Sequence, residues 1–576
     1  MVSGSFVISN IKPRESPSFS DQNYPIRPSL IALLSLAGFL IVVVSSFGVE
    51  FEWLPETLQF GLFEALPIYY WVGIAFIIFS IVLSWNLRNE HLFLFITSLL
   101  FLSLWCAPVL FERYPPIWDS YFHFVPVSQI AKTGSLADLG IYSYAYNYPG
   151  IFVVTASYEI LASVPSLVFL KYYSFFSALL TLLALYFFIR TYVPSIEYRY
   201  AFLIAILGDV WLQLHFSPQS IGFAVGLFVF VFLERQTVRW TLMAIFAFVF
   251  IVISHPTTVL FVLGGILIRE IYLRIKKIVT RSRGEQVERT WPFPVFCLVW
   301  LLWLFTGSIT YSTILLDQVI NRLEYFIYLP IAASSTVSMR TAGNIFSIAP
   351  LIRLAFLAVL LLLAFFVLLF YVFSAKKRRL SIKSTIIALL VMPIAVGLFD
   401  IVLFKGQFYD RGLLFLVLSA SIVVTIFLIR IEKKKIGSAI GIFLMLLSAS
   451  CAGTLYYQEG LYIVSEESFE ASDYINQNLA NGSFIIGGFF PSDVWSGLPP
   501  KNFYNIYLFN AYPLKLSNFT SERTAGAIIF DRTSELWYRQ YGMTFIYQHY
   551  VNESGNYNKV FDNGAYWVIY EGRRTG

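Results

Sequence analysis

Residues 354–373 read LAFLAVLLLLAFFVLLFYVF, twenty consecutive positions without a charge, and Lys376-Lys377-Arg378-Arg379 follow after two small residues. A helix rises about 1.5 Å per residue, so a run of this length crosses the roughly 30 Å hydrocarbon core of a bilayer. It also pairs every backbone N–H and C=O internally, as lipid requires. Working outward, similar apolar runs recur at 29–48, 65–85, 91–110, 167–189, 199–216, 218–233, 240–255, 256–271, 291–310, 384–404, 412–430 and 436–455. With 350–374 they predict an α-helical polytopic membrane protein of about thirteen transmembrane helices.

Composition agrees. Of 576 residues, 58% are apolar and 13% charged, and mean hydropathy is +0.70. So few charges cannot clothe a water-soluble chain of this size. The net charge of +6 does not point to nucleic acid, because the basic residues sit in short clusters between apolar runs. Cys106, Cys297 and Cys451 fall within or at the ends of apolar runs and imply no disulfide framework. The first apolar run follows 27 mostly polar residues and is long enough to span, which argues against a cleaved leader.

The basic clusters also set an orientation. With the N-terminus cytoplasmic, cytoplasmic segments collect 24 Lys and Arg, whereas outer loops and outer helix ends hold eight. That asymmetry is the positive-inside pattern. It predicts a multi-pass protein of the cell membrane with an extracytoplasmic C-terminal region. Arg353 reads as a snorkelling residue, and Lys376–Arg379 and Lys433–Lys435 read as topology anchors.

Beyond residue 455 the pattern changes. Apolar runs shorten to strand length at 484–490, 525–530, 545–547 and 566–570, and an amphipathic helix is expected at about 466–480. Three N-x-S/T sequons begin at Asn481, Asn518 and Asn552 and occur nowhere else. The reading is a membrane domain over 1–455 and a small exterior α/β domain over 456–576, with amphipathic helices on the outer face between spans.

Several chemistries are absent. There is no G-x-x-x-x-G-K-[ST] loop, and the five histidines form no H-E-x-x-H pair. Ionisable groups concentrate instead at outer helix ends and in two long outer loops, 111–166 and 311–349. Loops of that length are usually functional. The first contains Tyr114-Pro-Pro-Ile-Trp118-Asp119-Ser-Tyr-Phe-His123-Phe, then Ala131-Lys-Thr-Gly134, then Tyr142-Ser-Tyr-Ala-Tyr-Asn-Tyr-Pro149-Gly150. Asp119 is placed to cap a short amphipathic helix beginning at Ser120, with Pro126 bending it soon after. His123 lies four residues on, on the same face.

This succession of Trp-Asp-Ser-Tyr-Phe-His, a helix, a Thr-Gly turn and a Tyr-Pro-Gly helix start resembles the first large outer loop of GT-C glycosyltransferases. Oligosaccharyltransferase catalytic subunits carry a similar stretch. The resemblance covers roughly 91–350, and His215-Phe-Ser-Pro-Gln219 and Ser254-His255-Pro256 fit in order. It implies transfer of a sugar from a polyprenyl-phosphate or polyprenyl-pyrophosphate carrier to a glycan, lipid or protein acceptor on the outer face. By the same analogy Asp119 is the essential loop carboxylate, acting as general base or as ligand to Mg²⁺ or Mn²⁺, with His123 beside it. The departing phosphate needs cations at headgroup depth, for which Arg411 is the first choice and Arg340 and Arg322 follow. Asp209, a carboxylate within an apolar run, joins His215, Gln219 and His255 as a substrate-binding candidate.

Each candidate has a plainer reading. Asp119 could be only a helix cap, His215 and His255 could satisfy broken helix ends beside prolines, and Arg411 could pair locally with Asp410. Two spans precede the motif loop where the family usually has one, and the Trp-Trp-Asp-Tyr-Gly stretch of oligosaccharyltransferase exterior domains is absent. An oligosaccharyltransferase-like enzyme, a lipid or sugar flippase and a scaffold without activity therefore stand as alternatives.

Overall fold

The computed structural model describes residues 27–55, 57–141, 143–280, 290–324, 347–373, 382–403, 408–431, 433–479, 484–487, 504–507, 527–540, 544–555 and 558–570. The helices in chain order are α1 (Pro28–Ser45), α2 (Leu62–Ala65), α3 (Ile68–Ser84), α4 (Glu90–Trp105), α5 (Ala107–Phe111), α6 (Asp119–Thr133), α7 (Tyr144–Asn147) and α8 (Gly150–Ala162). They continue with α9 (Ser166–Tyr192), α10 (Tyr198–Gly208), α11 (Pro218–Glu234), α12 (Val238–Ser254), α13 (Pro256–Thr280), α14 (Phe293–Thr306) and α15 (Ile309–Glu324). After these come α16 (Ala349–Phe373), α17 (Ser384–Leu403), α18 (Tyr409–Arg430), α19 (Lys434–Ala452), α20 (Glu466–Asn478), α21 (Arg532–Gln540) and α22 (Thr544–Ser554). Among the described residues, α1, α9, α16, α18 and α19 are long and apolar enough to cross a membrane. Shorter apolar helices pack on them: α11 lies against α9 and α12, and α10 and α17 lie against α18.

Two devices hold this bundle tightly. At the crossing of α1 and α3, a Cβ on Gly38 would stand 2.7 Å from the Gly73 carbonyl oxygen, so the backbones meet where only glycine fits. At the end of α3, Arg199 is 1% exposed and donates to the carbonyls of Ser84, Trp85 and Leu87, with its guanidinium 4.4 Å from the centre of the Phe93 ring. Arg199, one of the basic residues counted on the cytoplasmic side, thus satisfies carbonyls that the helix end leaves unpaired.

The apolar run 199–216 is not one helix. α10 stops at Gly208, and residues 209–217 are irregular up to the Ser217 cap, whose side chain accepts from the Ser220 N–H. Irregular backbone among apolar helices is tolerated where it lines a cavity, which this stretch does. The long loop 111–166 is largely helical too, holding α6, α7 and α8.

Asp119 is the first residue of α6 and makes no cap bond; Trp118 occupies the cap position. The cap reading is thus corrected, because the carboxylate turns away from the helix N–H groups toward two imidazoles described below. Pro126 does not end the helix either. α6 runs to Thr133, where Gly134 at φ 67° closes it, and Tyr121, Phe124, Val127 and Ile130 bury one face. That packing offsets the one backbone bond the proline removes.

Near the C-terminus a five-stranded sheet has order β2-β1-β3-β5-β4, with β1 (Phe484–Gly487), β2 (Tyr504–Tyr507), β3 (Ala527–Asp531), β4 (Asn558–Asp562) and β5 (Tyr566–Tyr570). β1 runs parallel to β2 and β3, and β5 is antiparallel to β3 and β4. Ile529, Tyr566 and Val568 pack with Ala471 and Ile475 of α20, whereas Ile528, Phe530 and Ile569 pack with Tyr538, Tyr547 and Tyr550 of α21 and α22. Period-two alternation with helices on both faces explains why consecutive strand residues are all apolar. Residues 545–547, read as strand-like, lie in α22, since three apolar residues also suit a buried helix face. Asn552 is exposed on that helix, whereas Asn481 and Asn518 lie outside the described residues.

Candidate functional site

α6 carries Asp119 and His123 one turn apart, and the irregular stretch after α10 brings His215 to the same point. Asp119 Oδ2 lies 3.1 Å from His215 Nε2 and 3.4 Å from His123 Nε2. An ionised carboxylate only accepts, so both Nε2 atoms carry the hydrogen. Burial raises the Asp119 carboxyl, but the charge and hydrogen bonds of His123 and His215 outweigh it and hold the group well below the usual carboxylate range. His215 is buried, and the His123 ring lies against Phe152 and Tyr144, with centroids 6.2 and 6.3 Å away. Both imidazoles are therefore fixed by packing before any substrate arrives.

Asp119 stands between two cavities. The first, about 560 Å³, is lined by Trp118, Asp119, Gln213, His215, Arg353, Asp410, Glu459 and Tyr462 among others. The second, about 630 Å³, is lined by Asp119, Phe122, His123, Tyr144, Gln219, His255, Trp300, Leu304, Tyr311 and Arg411 among others. In the second, Arg411 from the first turn of α18 donates through Nε to Gln219 Oε1 at 2.6 Å. Gln219 is buried, and its Nε2 has no hydrogen-bond partner among the described residues. An amide N–H and a guanidinium thus converge on one wall, an arrangement suited to anionic oxygens.

His255 keeps both of its readings. Its Nδ1 accepts from the Thr258 N–H at 3.3 Å and lies 2.6 Å from Thr258 Oγ1, so it caps α13, and the residue also lines the second cavity. Asp209 is fully buried where α10 ends and lines neither cavity. Arg340 lies outside the described residues, and so do Lys376–Arg379.

Sequence reasoning missed other lining groups. Arg353 does not merely snorkel: it donates to Thr454 Oγ1 at 2.9 Å and to the Thr454 carbonyl at 2.6 Å, on the first cavity's wall. Tyr311 and Trp300 come from helices far from the motif loop. Asn147 ties their helices in, since its carbonyl accepts from Nε1 of Trp303, on the same helix as Trp300, at 3.2 Å and its Oδ1 from the Tyr311 N–H at 3.3 Å. The Tyr-rich stretch 142–148 was a visible signal, but its partners were not.

The donor set around Asp119 does not fit Mg²⁺ or Mn²⁺. Hard cations take several oxygen ligands, whereas the neighbours here are imidazoles whose N–H groups point at the carboxylate. Among the described residues no group of three His, Cys, Asp or Glu is arranged to hold a metal ion.

No family model matches the sequence, and no curated protein matches it. Solved structures do resemble the chain in arrangement at low identity. The crystal structure of the Archaeoglobus fulgidus oligosaccharyltransferase in complex with Zn and sulfate is 12% identical, covers 83% of this chain and 72% of its own, and gives a TM-score of 0.48. ArnT from Cupriavidus metallidurans bound to undecaprenyl phosphate is 12% identical, covers 88% and 98%, and gives 0.43; its apo state is 11% identical, covers 81% and 96%, and gives 0.45. Oligosaccharyltransferase and ArnT, among the solved structures this chain resembles, are GT-C glycosyltransferases.

Proposed function

We propose that this chain is a membrane glycosyltransferase that moves a sugar from a polyprenyl-phosphate or polyprenyl-pyrophosphate carrier to an acceptor on the extracytoplasmic side. The observation that carries the reading is Asp119, held between two cavities by two histidines, with the Arg411 guanidinium on the wall of the second. The first cavity's guanidinium, Arg353, is turned onto Thr454 and the Leu455 carbonyl. In the second, Arg411 stands beside Gln219 Nε2, unpartnered among the described residues, and an apolar wall of Leu260, Trp300, Leu304 and Leu316, which suits a phosphate attached to a lipid chain. The first cavity then takes the acceptor.

The chemistry balances without a cofactor. An acceptor hydroxyl oxygen attacks the anomeric carbon as the bond from that carbon to the carrier phosphate oxygen breaks, and the electron pair leaves on the phosphate. Arg411 and Gln219 Nε2 stabilise that charge. The hydroxyl proton passes to Asp119. Both imidazoles occupy Oδ2, which leaves Oδ1 for the acceptor. A carboxylate so strongly held as an anion is a weak base, so it takes the proton late, once bond formation has made the hydroxyl acidic.

The test is Asp119→Asn in purified, correctly inserted protein supplied with a lipid-linked sugar donor. Transfer should fall by at least ~10²-fold, the usual share of a positioned base. Unchanged turnover overturns the reading.

A further inference from the structure

Seven residues before Asp119 the chain passes Glu112, which is 1% exposed, and in the turn after α19 it passes Glu459, which is 3% exposed and lines the first cavity. The two carboxyls lie within hydrogen-bonding reach of each other. Neither oxygen of Glu112, nor Oε1 of Glu459, has an N–H or O–H partner among the described residues. The titratable and charged groups facing the pair are Lys171 of α9, Tyr121 of α6 and Tyr456. Lys171 itself donates to the Arg113 carbonyl at 3.0 Å. Two carboxylates in contact, out of water and facing one committed cation, cannot both remain ionised. One proton between them makes a charge-assisted O–H···O bond, among the stronger kinds.

The backbones show what such a bond holds. Phe51 donates its N–H to the Phe111 carbonyl at 2.7 Å and accepts from the Arg113 N–H at 3.3 Å, so Glu112 sits inside a bridge to the first loop. Arg113 Nη1 reaches Glu52 at 2.6 Å and Glu466 at 2.8 Å, but these pairs are solvent-exposed, where water and salt screen them. Glu112 and Glu459 put two buried carboxyls at this three-way junction, beside the buried Tyr456 hydroxyl that donates to the Leu104 carbonyl at 2.9 Å.

We propose that Glu112 and Glu459 hold a single proton between them and act as positioning residues, tying the stretch that leads to Asp119 to the turn after α19 and fixing one wall of the first cavity. Burial pushes both carboxyls up, Glu459 to about 7 and Glu112 well above the ordinary carboxylate range, with the negative charge of Glu459 adding to the rise at Glu112. Both groups therefore bind protons more tightly in the folded chain than in the unfolded one. Stability is greatest near the ordinary carboxylate range and declines as pH rises above it. The tie itself is lost on the alkaline side of neutrality, when the last proton leaves.

The experiment uses the full chain in detergent micelles, reading thermal melting and hydrogen exchange at amides 113–124 between about pH 6 and pH 9. As pH rises the unsubstituted protein should melt lower, and the protection of amides 113–124 relative to their base-catalysed intrinsic exchange rate should fall. In Glu459→Gln the amide donates to Glu112 without needing a shared proton, so that dependence should flatten. In Glu459→Ala the amides should exchange at least ~10-fold faster even at the acid end, as expected when a partner worth a factor of ten is removed. Equal pH dependence in the unsubstituted protein and Glu459→Gln overturns the proposal, and so does unsubstituted-like exchange in Glu459→Ala. Neither readout involves sugar transfer, so its failure is separable from failure of the Asp119→Asn test.

Discussion

His215 Nε2 lies 3.1 Å from Asp119 Oδ2 although 96 residues separate the two in the chain. The contact exists because α10 breaks at Gly208 and the irregular stretch that follows carries the imidazole under the start of α6. It fixes which carboxylate oxygen is occupied, and that has consequences for several side chains.

His215→Ala removes the shorter and more buried of the two donors on Asp119, whereas His123→Ala removes one at 3.4 Å. Transfer should drop by about 10- to 100-fold in the first, the usual effect of losing a group that orients a catalytic ligand, and by less in the second. Steady-state rates on a lipid-linked donor decide it; equal losses would mean that His215 has no special part in orienting the carboxylate.

Gln219→Glu places a carboxylate where an amide oxygen now accepts from Arg411 Nε at 2.6 Å. The new ion pair neutralises the guanidinium and repels an anionic carrier. Donor affinity should weaken by at least ~10-fold, about 1.4 kcal/mol, with acceptor affinity little changed. Titration of a polyprenyl phosphate into purified protein provides the measurement.

Asp119 should not set the acid limb of the pH–rate profile. Its carboxyl is held well below the usual range, so it remains ionised as pH falls through about 5, and its stabilising contribution is lost only at more acid pH. The sign follows from a depressed folded value: the contribution is present above the unfolded value and disappears on acidification through the folded one. A limb with its midpoint near pH 4 that vanishes in Asp119→Asn contradicts this.

Gly61→Ala should be among the most damaging single changes to stability. Gly61 has φ 57° and ψ −129°, a region open only to glycine, and a Cβ there would overlap the Tyr456 carbonyl oxygen, which also accepts from the Leu62 N–H. A loss of roughly 3 kcal/mol or more is expected from strain and clash together. Thermal melting in detergent measures it, and a change under about 1 kcal/mol shows that the loop can shift aside.

Arg199→Met keeps the bulk of the side chain but leaves the Ser84, Trp85 and Leu87 carbonyls without their donor. Unpaired buried carbonyls cost about 1–3 kcal/mol each, so the melting temperature should fall while sugar transfer per folded molecule stays the same.

The amino-acid sequence by itself determined the helical membrane architecture, because lipid demands long charge-free runs and those are countable residue by residue, as at 354–373. It also marked the Asp119 stretch and named His123, His215, Gln219, His255 and Arg411, since ionisable and aromatic groups are conspicuous against so apolar a background. Only the tertiary structure decided that Asp119 faces two imidazoles instead of capping α6, that Arg411 meets Gln219, and that Glu112 meets Glu459. Each of these is a contact between segments far apart in the chain, and hydropathy and local spacing hold no information about which distant segments meet. Asp209, a carboxylate in an apolar run, is buried at the break after α10, next to Val210 and Trp211 of the first cavity's wall but not itself part of either lining, a placement that hydropathy alone does not give.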